Sequence, residues 1–423
     1  MMNVEKSPMH HSPTSPDSIT QFDRPAMFTR RRFVQTAGSL TAAVMAGLPR
    51  QGFAAPSAKI IDTKVISQEP QYYHGWPTIA RRQDGTLLVV CSGGRQKHIC
   101  PFGRVELMVS HDDGAKWSWP RTILDTDLDD RDAGIVETAK GTLIATTFTS
   151  LVYEQFIKTL ESGKSTPFVN ADTLPAWKAA RDRLSAEERQ AELGQWLIRS
   201  TDGGRNWSTR VPTIVNSPHG PIQLKDGRLL YAGKQLWTEE KKVGVCESRD
   251  DGLTWQWLAE IPTRAGDNAT KDYHELHAVE TPDGTLIAHI RHEGKTDKNW
   301  TLQSESKDGG RSWSEPHPVC FGLPSHLLPL RDGRLLMTYG HRRAPFGNQA
   351  RVSADHGQTW SEPMIVSGDG VGGDLGYPST VELGDGSLLT VWYESMKSGT
   401  TEAEVHGGQS FAVLRQARWT LVS

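Results

Sequence analysis

Apolar and polar positions alternate in short runs along most of the chain, and the runs are broken by Gly, Asp, Asn or Ser. This period of two predicts strands and tight turns, not helices. Six segments share one layout: an apolar run, an Asp-Gly or Lys-Gly turn, and a second apolar run. They are RRQDGTLLVV, ETAKGTLIAT, QLKDGRLLYA, ETPDGTLIAH, PLRDGRLLMT and ELGDGSLLTV, turning at Gly85, Gly141, Gly227, Gly284, Gly333 and Gly386. Each predicts a β-hairpin.

A second pattern, S-x-D-x-G-x-x-W, is offset from the first and recurs five times, starting at Ser110, Ser200, Ser248, Ser306 and Ser353. The Asp can accept backbone N–H bonds in an Asx-turn, Gly can take a positive φ, and Trp can fold back between neighbouring sheets. Asp112, Asp202, Asp250, Asp308 and Asp355 therefore read as structural. Six inner hairpins and five outer ones imply six four-stranded sheets with one outer hairpin missing. The runs KIIDTKVISQ (59–68) and FAVLRQARWTLV (411–422) supply the missing strands from the two chain ends. The expected fold class is all-β, a six-bladed β-propeller closed on itself. Residues 151–194 interrupt the second blade, and the stretch 176–194 has helix-forming composition. This partly helical insertion is either a lid over the site or a passive excursion.

The first 55 residues do not follow the strand pattern. A polar, Pro/Ser/His-rich stretch reads as disordered and precedes Thr29-Arg30-Arg31-Arg32-Phe33, an apolar run over 37–48 and a small-residue exit at Ala54-Ala55. The apolar run is too short to span a bilayer. The order resembles a twin-arginine export signal, which places the propeller (56–423) in a bacterial periplasm or outside the cell, with no membrane span. Lys and Arg total 47 against 50 Asp and Glu, a net charge of −3, which excludes a basic nucleic-acid binder. Four cysteines cannot build a disulfide scaffold; all four read as structural, and Cys91 and Cys100, nine apart, could either pair in an oxidising compartment or stay free. The 40 Gly and 14 Trp are largely absorbed by the turns and boxes.

The innermost strand of each propeller blade lines the axis, and its leading end opens on one face. Those ends carry Tyr73-His74-Gly75-Trp76, Asp130-Arg131-Asp132, His219, His274-Glu275-Leu276-His277, Ser325-His326 and Gly376-Tyr377. One funnel should thus gather histidines, carboxylates and a tyrosine. Strand alternation sends His274 and His277 to opposite faces, so the histidines suit proton transfer better than a metal. No metal or cofactor is expected.

Five boxes on six blades resemble the sialidase (neuraminidase) superfamily over the whole region 56–423. That likeness implies a Tyr nucleophile paired with a Glu base, three arginines clamping a carboxylate, and an Asp acid/base. HELHAVETPDGTLIAHIR resembles the Glu-to-Arg blade, which implies Glu275 as base and Arg291 as a clamp. GYPSTVELGDG resembles the nucleophile blade and implies Tyr377. TYGHRRAPFG implies Arg342, with Arg343 beside it, and CSGGRQKHICPFG implies a substrate contact at Arg95. The sequence departs from the family at two points. Gly75-Trp76-Pro77 stands where an Arg-Ile-Pro motif is expected, and Lys97-His98-Ile99-Cys100 stands where the acid/base Asp is expected. His98 or Asp132 then takes the acid/base role, and Arg131, His74, His219 and His326 are further candidate contacts. Arg291 as an inter-blade ion pair and Tyr377 as a packing residue are the structural alternatives. The function expected is an exported exo-glycosidase acting on terminal sialic acid or a related anionic sugar. The alternatives are a His-dependent hydrolase or lyase on uronic-acid polysaccharide, and a non-catalytic carbohydrate-binding propeller. The partner is an anionic glycan.

Overall fold

The tight turns at the six hairpin glycines join the two inner strands of each of six four-stranded antiparallel sheets. The structure, a computed structural model, describes residues 55–69, 71–396 and 412–422. In blade one Tyr73–Arg81 is innermost, followed outward by Leu87–Arg95, Arg104–Ser110 and Arg121–Leu124. Blades two to five repeat this order, with innermost strands Asp129–Glu137, Ile222–Gln223, Tyr273–Glu280 and Ser325–Pro329. Blade six takes strands from both chain ends. Leu375–Glu382 and Leu388–Ser395 pair with the C-terminal Ala412–Val422, and Ser57–Val65 adds the outermost strand in register from Ser57↔Val422 to Val65↔Arg415. The last strand of the chain is therefore held on both sides, and the ring is closed.

The core is a ring of apolar seams between blades. Leu389 and Val391 of blade six meet Leu87 and Val89 of blade one, and Leu88 and Val90 meet Ala133 and Ile135 of blade two. Equivalent seams join the remaining neighbours. The boxes lock these seams. In all five, the Ser Oγ accepts the Gly N–H four residues on, at 2.8–2.9 Å. The Asp accepts the N–H four residues beyond itself, at 2.8–3.0 Å. Each box glycine has φ between 81° and 90° and abuts a side chain of the preceding blade. Added at Gly357, a Cβ would lie 2.2 Å from Ile287 Cδ1. Trp117 and Trp360 bond across the same seams, to Gln416 and Gln303.

The insertion is more helical than its sequence implied. It forms α1 (Tyr153–Glu161), α2 (Leu174–Arg181) and α3 (Ala186–Ala191), the last opened by a Ser185–Glu188 capping box. Tyr153, Ile157 and Trp177 pack on Ile99 and Cys100 of the blade-one loop, and Trp177 Nε1 bonds Gln96 Oε1 at 2.9 Å. The insertion is thus a buttress behind that loop. Cys91 and Cys100 are not bonded: all four cysteines are buried free thiols, Cys91 in the seam of blades one and six and Cys100 under the insertion. Among the described residues no helix is long and apolar enough to cross a membrane. The twin-arginine segment lies outside the described residues.

Candidate active site

Four innermost strands share one irregularity at their leading ends, a single extra residue relative to the partner strand. It falls between Gly75 and Thr78, Arg131 and Gly134, Tyr273 and Leu276, and Gly376 and Ser379. A β-bulge re-aims the side chains it carries. Three of these bulges hold a non-glycine residue at positive φ: Trp76 at 53°, Asp132 at 50° and Tyr377 at 52°. Such conformations cost about 1–2 kcal/mol each and collect at functional sites. The fourth bulge carries His274 and Glu275.

These bulges open into one pocket of about 330 Å³, lined by Trp76, Asp132, Glu275 and Tyr377 together with His98, Arg131, Arg291 and Arg342. At its floor Tyr377 Oη donates to Glu275 Oε1 at 2.8 Å. Arg291 Nη1 donates to both, at 2.9 Å to Tyr377 Oη and 3.0 Å to Glu275 Oε1. Burial pushes the Glu275 carboxyl up, but the Arg291 guanidinium beside it outweighs this and holds it below the usual glutamate range. Burial and the Glu275 charge push the Tyr377 phenol well above its usual value. The resting pair is therefore a neutral phenol hydrogen-bonded to a carboxylate. The carboxylate is the proton acceptor that a phenol needs in order to attack.

Arg342 half-faces the pocket, with its guanidinium 5.7 Å from the Tyr377 ring centroid. Its Nε bonds the Leu375 carbonyl at 3.0 Å. Among the described residues it has no carboxylate partner. Arg343 instead stacks on Phe321 at 3.9 Å. Arg131 lies over the Trp76 ring at 4.4 Å. The tryptophan that replaces the expected arginine thus serves as a platform for an arginine from the next blade. Asp132 is buried, its Oδ1 has no hydrogen-bond partner, and burial pushes its carboxyl up to about 7.

Four of the expected contacts lie elsewhere. Arg95 is fully buried and spends its guanidinium on both oxygens of Asp129 and on the His98 carbonyl, so it supports the pocket from behind. His74 is buried beside Glu106, its Nε2 3.7 Å from Oε2. His219 and His326 meet His277 in a separate axial cavity of about 380 Å³, with ring centroids 4.5–5.3 Å apart. Burial holds those three imidazoles well below the usual histidine range, and hence neutral.

Several residues of the site escaped the sequence. Trp237, exposed beside Phe148, forms part of the wall. Asp374 sits three positions before Tyr377 and reaches His98 across the rim. An acidic residue just ahead of the Leu375–Glu382 strand was the available signal.

The fold and this pocket define a class, the sialidase-like propeller built on BNR boxes. The chain belongs to the BNR repeat-like domain family, whose model matches residues 170–390. Among solved structures it resembles a protein of unknown function from Dyadobacter fermentans, at 20% identity and a TM-score of 0.66 over 86% of this chain and 100% of that one. The intramolecular trans-sialidase from Ruminococcus gnavus aligns at 15% identity and a TM-score of 0.57, covering 86% and 97%. The NanB sialidase from Streptococcus pneumoniae aligns at 15% and 0.58, covering 86% and 70%. No curated protein matches the sequence.

Proposed function

We propose that this protein is an exo-glycosidase of sialidase type, exported by its twin-arginine segment, that hydrolyses terminal sialic acid or a related anionic sugar. The observation that carries the reading is the Tyr377–Glu275–Arg291 constellation at the floor of a pocket bearing two further arginines. Glycoside cleavage develops positive charge at the anomeric carbon and needs a nucleophile and an acid. A tyrosine bonded to a carboxylate supplies the nucleophile without setting a bare anion against an anionic sugar. Tyr377 Oη forms the bond to the anomeric carbon as the glycosidic C–O bond breaks, and its proton passes to Glu275. Arg131, Arg291 and Arg342 suit a substrate carboxylate, which they bind through charge-assisted bonds. His98 or Asp132 is the acid that protonates the leaving oxygen. The resemblance to the trans-sialidase and sialidase structures agrees with this substrate class.

The test is turnover by the full chain on aryl sialosides, sialylated oligosaccharides and uronic-acid glycans, with Tyr377→Phe as control. Hydrolysis that Tyr377→Phe loses by at least about 100-fold supports the proposal. An unsaturated product absorbing in the ultraviolet makes the protein a lyase. Binding without turnover makes it a lectin-like propeller.

A further inference from the structure

His98 stands on the loop of blade one, at the rim of the pocket, with about a third of its side chain exposed. Its Nδ1 lies 3.0 Å from Asp374 Oδ1 and 2.9 Å from Tyr73 Oη. Asp374 takes hydrogen bonds from Tyr73, Tyr393 and Ser395 as well, all at 3.0–3.1 Å. Burial pushes its carboxyl up, but the His98 bond and these hydroxyls outweigh that and hold it at about 2. Asp374 is therefore an anion at every working pH. A bare Nδ1 lone pair cannot sit 3.0 Å from a carboxylate oxygen, so Nδ1 carries a proton. This leaves Nε2 as the atom whose protonation changes.

The backbone of His98 is fixed as firmly as its ring. Arg95 Nη2 and Arg131 Nη1 both donate to its carbonyl, at 3.0 and 3.2 Å. Trp76 meets the ring edge-on with centroids 5.0 Å apart, and the Phe168 ring of the insertion lies with its centroid 6.4 Å away. The groups that set its charge are thus all identified. Burial lowers its pKa first, Arg131 and Arg95 lower it further, and Asp374 raises it, for a net fall. Asp132, the competing acid, is buried at the floor, where Arg131, Glu275 and Arg291 all act on it. An exo-acting enzyme releases its leaving group toward solvent, and the rim is where His98 stands.

Building on the glycosidase reading, we infer that His98 is the catalytic acid/base of this pocket and that Asp374 is its positioning residue, the two forming a carboxylate–imidazole dyad in place of a single acidic side chain. In the first step the imidazolium Nε2–H gives its proton to the leaving oxygen as the C–O bond breaks and the Tyr377–carbon bond forms. In the second step Nε2 takes a proton from the attacking water, the new C–O bond forms, the Tyr377–carbon bond breaks, and Glu275 returns its proton to Tyr377. The proton count closes over one turnover, and no further reactant is needed beyond water.

The test uses Asp374→Asn and His98→Ala in the full chain on two sialosides, a 4-methylumbelliferyl glycoside with a good leaving group and a sialyl-galactoside with a poor one. Loss of the acid slows the first step, which kcat/KM reads, only where the leaving group needs a proton, whereas loss of the base slows the second step on both substrates. Asp374→Asn should cost about 100-fold or more in kcat/KM on the sialyl-galactoside and under about 10-fold in kcat/KM on the aryl glycoside. The alkaline limb of its pH–rate profile should fall by about one unit, because the anion that favours imidazolium is gone. Azide should restore aryl-glycoside turnover in His98→Ala by attacking without a base. Equal losses on both substrates with an unmoved pH profile would reduce Asp374 to a structural role and overturn the dyad. If the wild-type chain hydrolyses neither sialoside, the glycosidase reading fails by itself, and nitrogen-15 NMR of the His98 ring decides the positioning claim. An Nδ1–H tautomer whose pKa drops in Asp374→Asn upholds the positioning, and an Nε2–H tautomer in the wild type overturns it.

Discussion

Replacing Asp132 with asparagine should stabilise the protein, and only above the acid range. Asp132 is 7% exposed, and burial raises its carboxyl from the ordinary 3.8 to about 7. Between about pH 4 and pH 7 the folded chain keeps a proton that the unfolded chain has released. Stability therefore falls as pH rises through that window, and the full penalty is present above it. Three units at ~1.4 kcal/mol each set a ceiling of ~4 kcal/mol. The Oδ1 atom has no hydrogen-bond partner, and an amide in its place inherits part of that cost. A net gain of about 2 kcal/mol at pH 8 remains. At an unfolding entropy of ~2.1 cal/mol/K per residue over about 370 residues, that is a rise in Tm of roughly 3 °C. The assay is urea and thermal unfolding of both proteins at about pH 4.5 and about pH 8. The gain should appear at the higher pH and vanish at the lower. A destabilised variant at pH 8, or equal shifts at both values, would mean that Arg131 holds Asp132 as a satisfied anion and would refute the reasoning.

Further outcomes follow from the same geometry. Arg342→Ala should raise KM for an anionic glycoside by about 10- to 100-fold, the worth of a charged hydrogen bond, and leave KM for an uncharged analogue unchanged. Glu275 is held below the usual glutamate range, so the acid limb of kcat/KM should lie below that of an ordinary glutamate, which a pH–rate profile reads directly. Gly357→Ala adds a Cβ at φ 84° against Ile287 and should cost about 2 kcal/mol in urea unfolding without altering KM.

The parts of this molecule that are local in sequence were legible in it. A box keeps its Ser, Asp and Gly within five positions, so its turn chemistry can be read from the letters. The hairpin repeat then fixes the blade count, and the blade count makes Glu275, Arg291 and Tyr377 neighbours, although up to 102 positions separate them. What could not be read depends on the bulges and on contacts between loops. Plain strand alternation does not say that Arg131 comes out on the pocket side while Arg95 turns inward to Asp129. The extra residue between Arg131 and Gly134 shifts the alternation. The corresponding bulge of blade one, between Gly75 and Thr78, carries Trp76, which lies under Arg131. His98 and Asp374 are 276 positions apart on irregular loops, and nothing periodic links them. The insertion's first helix was missed because its buried face, Tyr153 and Ile157, has its partners in the blade-one loop.

The most direct measurement of the central claim is covalent trapping. A fluorinated sialoside that forms a glycosyl–enzyme but hydrolyses it slowly should add one sugar mass to the protein, and peptide mapping should find that mass on Tyr377. Tyr377→Phe should remain unlabelled and inactive. Labelling at another residue, or full turnover by Tyr377→Phe, would contradict the account.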